Sequence, residues 1–477
     1  MVDAAAPTLT RKAWLALVAA GLAMFLVGVD GSIVNVAFPS LRKDFEGVSN
    51  ARLSWVLNAY VLVYAALLVV SGRLADRAGR LRVMTIGLAV FVLASIGVAV
   101  SPGALFLVAM RGFQGVGAAL ITPASMGLVI ASWPAERRAT AVTLWGACFA
   151  SANAFGPAIG AGIIELASWR WAFMINLPLG VIALTLSKRV FVETPKDNSA
   201  AKPDVLGGGL LASATGLLVL AIVQGRDWGW SSMEIMTWPV RVGIQPFPMS
   251  ILIGIACLAA FIYRNNRHAE PILPRALVVI SSFRRASLAL FVFALGMYAL
   301  MLSLVLFLTD AWGYSIGVTG LSSAFGALVV TVAAMVAGPL ADRYGHRLVA
   351  GPGTFICALG MLWWITMLNE QPNYLTGYLP GLILSAGGMG LTLGVLAAAG
   401  VSEVSPQFFS LAGGVTQTAR QFGGALGLAA MFAITGEPTG LADAYGAYKW
   451  AFAFIMVSSI TACLLTSQVK PSKSNTV

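Results

Sequence analysis

Residues 72–82 read GRLADRAGRLR, and residues 338–348 read GPLADRYGHRL. Asp76 and Asp342 hold the same place in the two copies, 266 positions apart. Each copy is a dense knot of charge between long apolar runs, in a chain that is only 10% charged and 58% hydrophobic, with a mean hydropathy of +0.84. A soluble globular protein carries about 25% charged residues. The 477 residues alone suggest roughly three soluble domains, but the apolar runs overrule that expectation. About twenty apolar residues cross a bilayer core, and such runs recur from residue 13 to residue 466. The composition therefore predicts an all-α polytopic membrane protein.

Fourteen spans are expected, at about 13–37, 51–72, 82–101, 104–124, 140–165, 171–191, 204–224, 250–263, 285–309, 315–337, 348–368, 375–400, 408–435 and 446–467. The stretches between them are too short for a soluble domain. With the N-terminus inside, 21 of the 30 Lys and Arg residues fall on the cytoplasmic side and 7 outside, and Arg111 and Arg420 lie within spans. Cytoplasmic loops are rich in Lys and Arg, so both termini are expected in the cytoplasm. The net charge of +11 is then a topology signal. A nucleic-acid surface would gather its basic residues on one face, and here they are scattered, so no nucleic-acid partner is expected.

Arg11 and Lys12 precede the first apolar run as in a signal peptide, but the run is long and contains Asp30, so it reads as a retained helix. Cys148, Cys257, Cys357 and Cys463 all fall in predicted helices, and there is no CxxC. Neither a disulfide framework nor a zinc site is suggested. His268 and His346 have no ligand partners at useful spacing, so no metal is expected.

The recurrence of the knot implies two related halves, a hallmark of secondary transporters that rock one bundle against the other. Eight spans separate the copies where a six-helix repeat requires six. Residues 1–191 and 285–477 then form two six-helix bundles, with two extra helices inserted within 192–284. The knot residues Gly72, Asp76, Arg77, Gly79, Arg80, Asp342 and Arg343 make sense as a conformational latch. Glycine permits a tight turn, and the carboxylate accepts from helix N-termini or pairs with Arg across the halves. Topology alone accounts for the Arg residues, but not for the glycine spacing, the Asp or the repetition.

At this point the chain resembles a known family. GRLADRAGRLR is similar to motif A of the major facilitator superfamily, and five further stretches resemble its fourteen-helix drug/proton antiporters: VGVDGSIVNVAFPSL (27–41), RGFQGVGAAL (111–120), NAFGPAIGAG (153–162), WRWAFMINLPLG (169–180) and GGVTQTARQFGGALG (413–427). The resemblance implies a major facilitator fold of fourteen transmembrane helices and proton-coupled efflux through the cell membrane, conferring antibiotic resistance. In that family the helix-5 motif goes with export. Here Ala152 and Ala161 stand where glycine is common.

The residues carry physical reasons of their own. Pro157 removes a backbone hydrogen bond and kinks its helix. Gly156 and Gly160 form a small-xxx-small face that lets another helix approach. Asp30 is a carboxylate inside a membrane helix, which costs several kcal/mol. Burial opposes its charged form, which suits a proton carrier. Arg111 is its expected partner: each lies seven residues from the outer end of its span, roughly 10 Å deep at 1.5 Å per residue. A static ion pair is the plainer reading of the same spacing. Glu165 and Asp310 close spans, as interfacial residues or as further protonation or cation-recognition sites. Phe25, Trp55, Asn58, Tyr60, Tyr64, Gln114, Trp145, Phe149, Asn153, Tyr298 and Met301 are candidates to line a substrate cavity. Aromatic and Met side chains offer large, adaptable surfaces for amphipathic molecules.

No Gly-Lys dipeptide occurs, so there is no P-loop and an ion gradient is the expected energy source, with no cofactor; sodium stays open, but the buried Asp30 and the scarcity of other acids favour a proton gradient. The expectation is a monomer in the lipid bilayer that exports hydrophobic or cationic small molecules by antiport with protons. The runner-up exports an endogenous lipid, siderophore or metabolite by the same mechanics. A membrane enzyme or sensor would want clustered acids and histidines or a soluble output domain, and the sequence offers neither.

Overall fold

A computed structural model describes residues 10–134, 137–193, 204–228, 246–268, 271–404, 409–436, 438 and 441–469. Among the described residues the secondary structure is helical throughout. The first group of helices is α1 (Arg11–Asp44), the short α2 (Asn50–Leu53), α3 (Trp55–Ala78), α4 (Arg80–Ala99), α5 (Ala104–Ser132), α6 (Arg138–Leu166), α7 (Trp169–Met174) and α8 (Asn176–Val190). Two helices follow, α9 (Val205–Trp228) and α10 (Pro246–Arg267), and then the short α11 (Arg275–Val278). The last group is α12 (Ser281–Leu306), α13 (Ile316–Tyr344), α14 (His346–Met367), α15 (Leu379–Val401), α16 (Phe409–Thr435) and α17 (Leu441–Ser467).

Twelve helices among the described residues are long and apolar enough to cross a membrane, and the bent α6 makes a thirteenth. The 27-residue α16 stands outside that set, because Gln417, Arg420 and Gln421 dilute its hydropathy. Each of the fourteen expected spans thus coincides with a helix, so the arrangement is compatible with fourteen crossings.

The helices run past the expected span ends. α1 reaches Asp44 and α3 reaches Ala78. Gly72 therefore lies inside α3, where an added Cβ would meet Pro123 at an ordinary 3.5 Å, and it makes no turn. The knot turns on a single residue. Gly79 has φ +101° and is at once the end of α3 and the start of α4, and Gly345 has φ +88° between α13 and α14. Only glycine takes positive φ without steric cost, so the repeat is conformational as well as chemical.

Packing divides the chain. α1 and α3–α8 pack largely with one another, as do α12–α17. The two groups meet chiefly where α6 lies on α13 and where α3 lies on α16. α9 packs on α10, α3 and α16, so α9 covers the α3–α16 seam with α10 beside it. Val69, Phe261 and Ile272 form a small core there.

Close approach explains the small residues of the NAFGPAIGAG stretch (153–162), which lies on α6. α6 bends by 40° between Asn153 and Phe155, at the carbonyl that Pro157 cannot reach with an N–H. A Cβ on Gly156 would collide with Ser32 Oγ, and one on Gly160 would stand 2.9 Å from Ile33. The two departures from glycine are compensated across the contact. Ala152 packs against Gly28 and Ala161 against Gly320, where a Cβ on either glycine would overlap the alanine methyl. The small residue has moved to the facing helix, and the backbones still meet closely.

Candidate functional site

Asp30 and Arg111 meet in the middle of the first group of helices. Arg111 Nη1 donates to Asp30 Oδ2 at 2.6 Å, and both side chains are fully buried. Arg111 also donates from Nε to the Val56 carbonyl at 2.9 Å and from Nη1 to Gln114 Oε1 at 2.7 Å. Its guanidinium lies 4.5 Å from the Tyr60 ring centre and 5.6 Å from that of Phe173. Cation–π contact of this kind gains strength on desolvation.

The other carboxylate oxygen is held by two amides. Gln114 Nε2 donates to Asp30 Oδ1 at 2.9 Å, and Asn176 Nδ2 donates to it at 2.8 Å. The same two amides donate to Ser95 Oγ at 2.7 and 3.1 Å. Ser95 in turn donates to the Phe91 carbonyl at 2.8 Å. Helices α5 and α8 thus donate to the carboxylate of α1, α4 supports both amides through Ser95, and α3 holds Arg111 through the Val56 carbonyl and the Tyr60 ring.

Asn176 and Ser95 are the members that the sequence reading missed. The signal was present. Asn176 is an amide in an apolar run, two residues before Pro178. Pro178 cannot donate to the Met174 carbonyl, but Ile175 keeps helical backbone angles and α7 and α8 together form one span, Trp169–Val190. Asn176 opens α8 and is fully buried beside Asp30. Gln114, named as a candidate for the cavity wall, is fully buried and takes part in this network.

The other expected acids lie elsewhere, at the end of the bundle opposite the knots. Asp310 sits in a π-helical turn, Phe307–Ala311. It accepts from Arg42 Nη2 at 2.5 Å and from the Tyr448 hydroxyl at 2.9 Å. Glu165 is exposed and accepts the Gly317 backbone N–H at 2.9 Å, at the start of α13. Both contacts join the first group of helices to the last. Nearby, Asp44 accepts from Trp169 Nε1 at 2.7 Å and from Arg170 Nη1 at 2.6 Å, which ties the WRW segment to the end of α1.

At the knot end, Asp76 pairs with Arg80 at 2.7 Å, within its own turn and not across the halves. Arg80 also reaches the Gly127 carbonyl at 3.1 Å. The N-terminus of α4 is capped by Glu193, which accepts from Leu81 and Arg82 N–H at 3.0 and 2.9 Å. A Cβ on Gly79 would press on that carboxylate. Arg77 is half-buried. Arg343 is exposed, with its guanidinium 5.2 Å from the Tyr344 ring centre. The Asp342 side chain lies outside the described residues.

Of the expected cavity residues, Tyr60 and Tyr64 are buried with ring centres 5.9 Å apart, and Tyr64 bonds Thr122 at 2.9 Å. Asn58 is fully buried, and its Oδ1 has no partner among the described residues. Trp145 donates to Ser125 Oγ at 3.1 Å, and Asn153 turns its amide to the Phe149 carbonyl of its own helix at 3.0 Å. Phe149 faces Arg420 of α16, with the guanidinium 5.4 Å from the ring centre. Tyr298 donates to Gln421. Phe25, Trp55 and Met301 are half-buried. No group of three or more His, Cys, Asp or Glu side chains suited to a metal occurs among the described residues.

Residues 20–428 and 286–476 match the family described as the Major Facilitator Superfamily. The cephamycin export protein CmcT of Amycolatopsis lactamdurans is 34% identical over 96% of this chain and 92% of its own length. The multidrug resistance protein Stp of Mycobacterium tuberculosis is 30% identical over 89% of this chain and 76% of its own. The methylenomycin A resistance protein of Bacillus subtilis is 30% identical over 93% and 91%. Among solved structures, a D-xylose-proton symporter superposes with a TM-score of 0.67 over 97% of this chain and 99% of that one, at 16% identity, which is a likeness of fold.

Proposed function

The chain belongs to the Major Facilitator Superfamily, a family of membrane transporters, and on that premise we propose that it exports hydrophobic or cationic small molecules in exchange for protons. The observation that carries this reading is the buried Asp30–Arg111 pair. An exchanger must bind proton and substrate alternately, and a carboxylate beside a fixed cation serves as the switch. Ionised, Asp30 holds Arg111; protonated, it releases it. Low dielectric strengthens the pair, and desolvation offsets much of that gain. The export and resistance functions named for CmcT, Stp and the methylenomycin A resistance protein support the direction of transport.

In this reading residues 1–191 and 285–477 are the moving bundles, residues 192–284 are inserted, and both termini face the cytoplasm of a monomer. The end with the Arg42–Asp310 and Glu165–Gly317 contacts is then the outer one. The cavity lies between the bundles, with Tyr298, Phe149 and the Tyr60–Tyr64 pair on its walls. The LADR knots bias the closing of the inner end.

The test is purified protein in proteoliposomes with an imposed pH gradient. Asp30→Asn mimics the protonated carboxyl and cannot cycle, so it should bind substrate but not accumulate it against a gradient. Accumulation at the wild-type level would remove Asp30 from the mechanism.

A second reading has the chain export one endogenous product by the same cycle, and the match to a cephamycin export protein favours it. Growth of cells with and without the protein on a panel of toxic compounds separates the two. Broad protection supports multidrug export, and protection against a single chemical class supports the second reading.

A further inference from the structure

The shell around Asp30 is made of donors alone. Oδ2 accepts from Arg111, and Oδ1 accepts from Gln114 and Asn176. An ionised carboxylate is an acceptor only, whereas a protonated one also needs an acceptor for its O–H. The other oxygens nearby each already take part in a hydrogen bond. Gln114 Oε1 accepts from Arg111 at 2.7 Å. The Tyr60 hydroxyl donates to the Val27 carbonyl at 3.3 Å. Ser95 Oγ accepts from both amides while its proton goes to Phe91. The exception is Asn176 Oδ1, which is buried and has no partner among the described residues. An unpaired buried acceptor is a cost that folded proteins seldom carry without a reason.

We propose that Asn176 is the positioning residue that follows the protonation state of Asp30, donating its amide N–H to the carboxylate and turning its amide oxygen to the O–H when the carboxyl is protonated. The proton adds to Asp30 Oδ1, and the amide makes a half-turn about its terminal torsion, which is broad and roughly two-fold. Each state of the carboxyl then has a full shell from one side chain. Asn176 heads α8, so the turn would also change how α8 is tied to α1. The proposal rests on the reading of Asp30 as the proton carrier.

The charged and titratable groups around Asp30 are few. α5 brings Arg111 and α3 brings Tyr60. Tyr64, also of α3, has its ring centre 5.9 Å from that of Tyr60, and Tyr298 of α12 packs against the same core. α4, α7 and α8 bring the neutral Ser95, Phe173 and Asn176, and α6 sets Cys148 against Gly21 and Asn153 against Gly28.

The experiment is infrared difference spectroscopy on the purified full chain in lipid nanodiscs, titrated with pH. The carbonyl band of protonated Asp30 is identified by its loss in Asp30→Asn. In Asn176→Leu that band should move to higher frequency, because the O–H has lost its acceptor. The titration midpoint should rise by about one pH unit, because the ionised form loses a charge-assisted bond and the neutral form a weaker one. Asn176→Asp keeps the shape of the side chain and should add a second titrating carboxyl, with one of the two steps strongly raised by the neighbouring charge. It also serves if the leucine variant does not fold. An Asp30 band and midpoint that stay the same in both variants would overturn the proposal and leave the antiport reading standing. A wild-type protein with no band that Asp30→Asn removes would overturn both.

Discussion

Arg42 and Asp310 are 268 residues apart in sequence, and their side chains stand 2.5 Å apart in the fold. One closes α1 and the other lies in the π-helical turn after α12, so the pair bridges the first and last groups of helices. Tyr448 donates to the second oxygen of the same carboxylate. An ion pair with this much access to water contributes about 1 kcal/mol or less. A two-state equilibrium still moves by roughly fivefold for that amount. Arg42→Ala and Asp310→Asn should therefore raise the fraction of molecules open at this end. Single cysteines placed along the α6–α13 contact would read it through their labelling rate. An unchanged rate in both variants would mean that the pair does not bias access.

The Asp30–Arg111 pair predicts an asymmetry in stability. Removing one partner of a buried pair costs about 3–5 kcal/mol. The two losses differ in what remains. Asp30→Asn leaves a guanidinium that stays charged at all accessible pH, so the thermal midpoint in detergent should fall at every pH. Arg111→Ala leaves a carboxyl that a proton neutralises, so its loss of stability should be large at high pH and should shrink as pH falls. Without the cation, protonation is easier and the transport optimum should move to higher pH. Parallel loss of stability in the two variants across pH would contradict this account.

Glycines on α6 provide a contrast within one helix. Gly156→Ala drives a methyl into Ser32 on α1, whereas a Cβ on Gly162 meets nothing within 4 Å. Overpacking costs about 1–3 kcal/mol. Gly156→Ala should lower both stability and transport, and Gly162→Ala should leave both at the wild-type level or raise stability slightly through its better helix propensity. Thermal unfolding and export assays on the two variants check it.

A pH-dependent tie joins α9 and α10 at the span ends, where Asp204 stands just before the Val205–Val223 span. Asp204 precedes α9, accepts the Gly207 N–H at 2.9 Å and pairs with Arg264 of α10 at 2.8 Å. Burial pushes its carboxyl up, but the bonds from Arg264 and Gly207 outweigh that and hold it below the usual aspartate value. A lowered value means stability that is present above the unfolded-state value, about 3.9, and is lost as pH falls below it. Asp204→Asn should thus loosen the α9–α10 pair at neutral pH and should match the wild type in strong acid. Protease sensitivity of the inserted segment against pH measures it.

Much of the fold was legible in the residues alone. Fourteen apolar runs, the repeated LADR and the pairing of Asp30 with Arg111 by equal depth all followed from sequence, because a bilayer imposes a length on every span and a penalty on every charge. Helix ends were not legible. α1 runs to Asp44 and α3 to Ala78, since hydropathy marks where lipid stops and a helix continues into water unaided. Gly72 and Gly79 look alike as letters, but only Gly79 has a positive φ.

Which faces meet was decided by the tertiary structure. Sequence offers Asn176, Ser95, Arg42 and Asp44 as isolated polar residues with no depth or direction attached. The packing of α8 on α1 brings Asn176 to Asp30, and the packing of α4 on α5 and α8 brings Ser95 beneath both amides. Apolar surface has no direction of its own, so an all-apolar helix can rotate about its axis at little cost in lipid. Close-packing glycines and buried polar atoms remove that freedom. The sequence by itself determined that this chain is a bundle of apolar helices with a charged turn that recurs and a costly carboxylate inside its first span, and only the fold decided which amides hold that carboxylate and which ion pair joins the first and last groups of helices.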